Sequence, residues 1–252
     1  MSAASGLTVF TRACLITLGM LSVAWGVFAF PAFWLQAPFD RLARQIIRGE
    51  SFKLESLVER EPDMNSLEQQ SICHPGLRSL AIVRLHILEL LYASAQGPLI
   101  DSHIDALRSS ILLSLRCSPA DPFLWLILYW LENTRSGFSP DHLQYLRLSY
   151  KLGPNEGWIA AKRNPIVLTV FERLPPDLAD RVVSEFAGLI RSGLYEEGVA
   201  ILTGPGWRIR AQLLDRLKEL PQDVRSAFAK RLQARGYDIE VPGVDRRQAF
   251  EH

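Results

Sequence analysis

The sequence predicts an all-α chain, with one apolar helix at the N-terminus followed by a string of antiparallel helical hairpins. Three observations lead there. Residues Ala13 to Leu35 carry no charged side chain at all. Beyond them, apolar residues recur three and four positions apart, the period of a helix buried on one side. Proline and glycine then punctuate that pattern where helices begin and end.

Taken in order, residues 1–12 read as an N-terminal tail. The uncharged stretch "ACLITLGMLSVAWGVFAFPAFWL" exceeds the roughly 18 apolar residues expected of a membrane span, so residues 13–36 are expected to be a transmembrane anchor. Phe33 and Trp34 suit the headgroup region. A cleaved signal peptide ending at Val27-Phe28-Ala29 and a buried core helix are the competing readings. Next, "FDRLARQIIRG" places Phe39, Leu42, Ala43, Ile46 and Ile47 on one helical face and Arg41, Arg44 and Arg48 opposite.

The helical domain is expected over residues 38–240. "FKLESLVER" is a short helix, and "PGLRSLAIVRLHILELLYASAQG" a longer one closed by Gly97-Pro98. In "DSHIDALRSSILLSLRCS" acidic and hydroxyl residues cap the start and Arg116 ends the run, as the helix dipole favours. "DPFLWLILYWLENTRSG" has Asp121 as N-cap and Pro122 at the first helical position, where a missing amide hydrogen costs nothing. "SPDHLQYLRLSYKLG" and "PPDLADRVVSEFAGLIRSG" repeat the device, and "PQDVRSAFAKRLQARG" is a variant with Leu220 in place of a polar cap. Gly137, Gly153, Gly193 and Gly236 supply the stops. Only "YDIEVPG" alternates like a strand, and Pro242 ends it. Residues 241–252 read as a flexible tail.

Two stretches echo each other. "SLRCSPADPFLWL" and "SYKLGPNEGWIAA" both end a helix, break at a proline, pass an acidic residue and resume with a tryptophan. Pro119 and Pro154 lie 35 residues apart, next to the period of about 34 residues that belongs to tetratricopeptide helix pairs. With Pro119 on that family's proline, Trp125 and Leu128 take its aromatic and leucine positions, and Tyr145 the aromatic of its second helix. Residues 101–153 thus resemble a tetratricopeptide unit, which implies an α-solenoid. Tyr129 departs from the family's small residue, the second proline arrives one residue late, and Pro165 interrupts the pattern beyond Trp158. An irregular helical bundle is the alternative.

Function is read mainly from what composition excludes. The chain has 252 residues, 28 basic and 27 acidic. Such balance speaks against nucleic acid as a partner. The histidines show no HxxxH and the cysteines no CxxC, so no metal is expected; Asp101, His103 and Asp105 read as helix-capping residues. There is no GxSxG elbow and no P-loop, so neither a cofactor nor an enzymatic activity is expected. Cys117 reads as a small buried hydrophobe, and its pairing with Cys73 is left open.

Six residues stand out for ligand or partner contact. Trp158, Lys162, Arg163 and Asn164 cluster beside the Pro165 break, and Arg208 and Arg210 follow the glycine-rich turn "GPGWRIR". The overall layout is similar to accessory proteins of bacterial envelope polysaccharide-synthesis clusters. That resemblance implies a membrane-anchored scaffold or protein-interaction module of a synthesis or export assembly, held in the inner membrane by one span. Flanking charge favours a cytoplasmic domain, while the resemblance leans periplasmic. The alternative function is an enzyme, or enzyme subunit, acting on a membrane-linked glycan.

Overall fold

The computed structural model describes the backbone of residues 3–70, 73–94 and 97–244; within it the side chains of residues 3–9, 11, 28–33, 35 and 97–98 are not described. The described residues are helical, with no strand among them. The chain divides into two compact units, residues 1–119 and 120–252.

In unit 1, α1 (Ala3–Ile47) runs into α2 (Leu54–Val58), α3 (Glu61–Gln69), α4 (Gly76–Ala93) and α5 (Gly97–Cys117). The expected transmembrane anchor over residues 13–36 does not stand, and the single-pass inner-membrane placement falls with it. Among the described residues no helix is long and apolar enough to cross a membrane. Nor does a break at residue 37 separate an anchor from the domain. One helix continues through Pro38, and its last turns bury Gln36, Phe39, Leu42 and Ala43. These turns pack on α4, where Ser79 donates to Asp40 at 2.6 Å.

The α4–α5 hairpin forms the centre of unit 1. Leu80, Val83, Ile87, Leu88 and Leu91 of α4 and Leu107 and Ile111 of α5 are fully buried. Arg84 lies among them and is 4% exposed. Its guanidinium donates to both Glu68 carboxylate oxygens at 3.1 and 3.0 Å and to Asn65 Oδ1 at 2.7 Å. Ser110 of α5 donates to the same carboxylate, so one ion pair joins α3, α4 and α5. Helix α5 starts at Gly97, before the expected caps at Asp101 and Ser102, so Gly97 opens this helix.

The Cys117 reading also changes. Cys73 enters α4 and Cys117 is the last residue of α5; antiparallel packing sets them side by side, with Cα atoms 5.4 Å apart, and they form a disulfide. It closes the end of the hairpin opposite the α4–α5 turn.

Unit 2 opens with α6 (Pro122–Ser136) and, after a 3-10 turn at Pro140–His142, α7 (Leu143–Leu152). The expected cap is present: Asp121 Oδ1 accepts from the amides of Phe123 and Leu124 at 3.0 and 3.1 Å. Gly137 ends α6 with φ of 79°, a left-handed conformation that suits glycine. The α6–α7 hairpin packs the Trp125 ring on Tyr145, centroids 5.9 Å apart and nearly parallel. Tyr129, bulky where the repeat resemblance asks for a small residue, is 1% exposed and fills the core beside this hairpin.

The remaining helices are α8 (Gly157–Leu168), α9 (Pro176–Arg191), α10 (Tyr195–Thr203), α11 (Arg210–Arg216) and α12 (Gln222–Ala234). Pro165, expected to interrupt the helical pattern, lies inside α8. Its missing amide hydrogen leaves only the Ala161 carbonyl without its helical donor. Helix α9 is the hub, packing on α8, α10, α11 and α12. Val182, Phe186, Leu189 and Ile190 form its buried face. Past α12, Val241 is buried and Arg225 donates to the Pro242 carbonyl at 2.5 Å. Residues 241–244 of the expected tail are therefore docked, and 245–252 lie outside the described residues.

Candidate functional site

The polar centre of unit 2 lies where α7, α8 and α9 meet. On α8 the buried stripe runs Ile159, Ala160, Arg163, Asn164, Val167, Leu168, so two polar residues interrupt an apolar face. On α9 the stripe Leu178, Val182, Leu189 passes through Glu185 at the same period. Packing these faces together brings the interruptions into contact.

Arg163 is 0% exposed. Its Nε and Nη2 donate to Glu185 Oε1 at 2.8 and 2.6 Å, Nη1 to Ser149 Oγ at 3.0 Å, and Nη2 also to the Gly153 carbonyl at 3.0 Å. The Tyr150 ring covers the guanidinium, with Cζ 4.0 Å from the ring centroid. Glu185 Oε2 accepts from the Tyr150 hydroxyl at 3.1 Å and from Asn164 Nδ2 at 3.2 Å. Asn164 Nδ2 also donates to the Val182 carbonyl at 2.9 Å. Burial raises the Glu185 carboxyl above its usual value, against the pull of Arg163. Burial, with the Glu185 charge adding to it, holds the Tyr150 hydroxyl well above its usual value.

A groove of about 730 Å³ opens beside this centre. Tyr150 and Glu185 line it, with Pro154, Asn155 and Gly157 on one side and Arg181, Ser184, Gly188 and Arg191 of α9 on the other. A Cβ at Gly188 would meet nothing within 4 Å, so the α9 backbone there is open to an approaching group. The groove's own acids are already matched: Glu185 to Arg163, and Asp180 to Arg216. Arg181 and Arg191 are exposed and make no ion pair with any described residue; Arg181 stands 5.8 Å from the Tyr150 ring centroid. The surplus charge of the groove is therefore positive. Unpaired guanidiniums suit carboxylates, which they bind through two parallel hydrogen bonds.

The six residues singled out from the sequence are dispersed. Arg163 and Asn164 are buried and hold the helices together. Trp158, 45% exposed, and Lys162 share the outer face of α8; the Trp158 ring lies 5.0 Å from that of Phe123, and its Nε1 donates to Glu156 at 3.2 Å. Arg208 lies within the Trp207–Ile209 turn and Arg210 opens α11 directly after it. Arg208 pairs loosely with Glu172 at 3.9 Å, and Arg210 stacks on Trp207 at 4.2 Å.

Missing from that sequence reading are Tyr150, Arg181, Glu185 and Arg191. The signal for Glu185 was present: a carboxylate on the apolar stripe of α9 needs a buried cation, and Arg163 sits on the matching stripe of α8. Among the described residues no group of three His, Cys, Asp or Glu side chains could hold a metal ion. Comparison with protein-family models, with curated proteins and with solved structures finds no match to this chain.

Proposed function

We propose that the protein is a helical protein-interaction module whose α8–α9 groove receives an acidic segment of a partner protein. One observation carries this reading: Arg181 and Arg191 are unpaired beside a groove whose own carboxylates are neutralised from within. Arginine side chains concentrate binding energy at protein interfaces, and Arg181 and Arg191 supply them on the wall of the groove. The binding role expected from the helical hairpins is kept; the membrane tether is not part of it.

The test uses two synthetic peptides of equal length, one alternating Glu and Leu, the other Lys and Leu. Fluorescence anisotropy with the full chain is expected to show binding of the acidic peptide that weakens as salt rises, and none of the basic one. The double variant R181E/R191E, with unchanged circular dichroism, is expected to reverse the preference. Equal binding of both peptides, or an unreversed preference in the variant, would overturn the reading.

A further inference from the structure

Unit 1 carries a second, different concentration of charge. A cavity of about 700 Å³ lies between the last turns of α1 and the stretch containing α2. Arg41 and Arg44 reach it from one face of α1, Arg48 from the turn just past its end, and Arg60 from the residue preceding α3. No acidic residue lines it. Arg41 Nε makes a long bond to the Ala37 carbonyl at 3.4 Å, and the guanidiniums of Arg44, Arg48 and Arg60 have no partner among the described residues. Asp40 accepts from Ser79 and Glu50 from Gln45 at 2.9 Å, and neither pairs with one of these arginines. The rest of the wall is largely apolar: Pro38, Leu42, Phe52 and Leu57. Phe52 is braced edge-on against His86, ring centroids 6.3 Å apart.

Four cations around one cavity repel one another, and ordinary folding gives no reason to gather them there without a counter-charge. An arginine fork binds phosphate oxygens in pairs, so four forks match more oxygens than a single phosphate offers. The cavity's volume also falls within the roughly 300–1,000 Å³ of small-molecule sites. We propose that this cavity binds an organic diphosphate, its two linked phosphates held by Arg41, Arg44, Arg48 and Arg60 and its organic group lying against the part-exposed Phe52. The site is separate from the α8–α9 groove and does not depend on the role proposed for it.

Calorimetry on the full chain tests the assignment with inorganic pyrophosphate, ADP and sulfate at matched ionic strength. Pyrophosphate is expected to bind at least tenfold more tightly than sulfate, and ADP at least tenfold more tightly than pyrophosphate because it also covers the apolar wall. The double variant R44Q/R48Q is expected to lose at least tenfold in affinity for both diphosphates, while its melting temperature without ligand stays level or rises as the repulsion is relieved. Phe52→Ala is expected to remove the advantage of ADP over pyrophosphate. Equal binding of sulfate and pyrophosphate, undiminished affinity in R44Q/R48Q, or no advantage of ADP in the parent chain would each overturn the proposal.

Discussion

A single side chain, Arg163, decides how unit 2 is held at its centre. Every donor on its guanidinium that the structure engages points at an acceptor in α7, at the α7 end or in α9. Replacing it by methionine keeps the volume and removes the charge, which strands the Glu185 carboxylate with only neutral donors. Breaking one side of a buried ion pair costs about 3–5 kcal/mol, so Arg163→Met is expected to lose that much in urea unfolding at pH 7. The sign of the pH dependence follows from burial. A carboxyl whose folded pKa is raised contributes stability below its unfolded value, about 4.3, and loses that contribution as pH rises through the folded pKa. The raised pKa of Glu185 climbs further without Arg163, so the deficit is expected to be largest near pH 7 and to shrink toward pH 5. Adding Glu185→Gln should recover part of it at pH 7. A deficit equal at both pH values would mean that no buried charge was created. Arg163 was visible in the sequence as one of a polar cluster beside a proline, which reads as a candidate contact for a ligand or partner. Its burial was not, because that depends on which face of α9 arrives opposite, and no local pattern in α8 records the partner.

At the scale of elements, the two echoing stretches turn out to touch. Helix α6 begins at Pro122 and Gly153 caps the end of α7, and the hairpin brings the two together. A Cβ on Gly153 would stand 2.7 and 2.8 Å from the Cβ and Cγ of the Pro122 ring. That ring cannot swing aside as the end of a long side chain can. Gly153→Ala is therefore expected to cost about 1–3 kcal/mol, the usual range for overpacking a core. Gly188→Ala is the matched control: the added methyl meets open space, and exchanging a mid-helix glycine for alanine is expected to stabilise by up to about 1 kcal/mol. Thermal unfolding of the two variants should move in opposite directions. Helix content, the α6 cap at Asp121 and the glycine stops were legible because they are local events, fixed by a few neighbouring residues. The expected anchor was not a safe reading: an uncharged run reports its own composition, and only the structure shows α1 continuing as one helix into the core of unit 1.

Across the whole chain, each of the two units has a buried arginine paired with a glutamate of another helix, Arg84 with the part-buried Glu68 in unit 1 and Arg163 with Glu185 in unit 2. Replacing both partners of such a pair by apolar residues is often neutral. The units differ in covalent support, because only unit 1 has a disulfide among the described residues. Cross-linking a chain across a loop of this length stabilises by about 2–4 kcal/mol. Under reductant, amide hydrogen exchange is expected to accelerate across 76–117 and to stay unchanged across 143–232. Equal acceleration in both stretches would show that the units do not open separately.

The same bond has a consequence for damage. Between Cys73 and Cys117 the backbone and the sulfur bridge together form a covalent ring of the hairpin, so a protease that cuts one peptide bond inside it opens the ring without releasing either piece. The cleaved chain would keep α4 and α5 tethered side by side, migrate as one molecule until a thiol is added, and fall apart only where the surroundings are reducing.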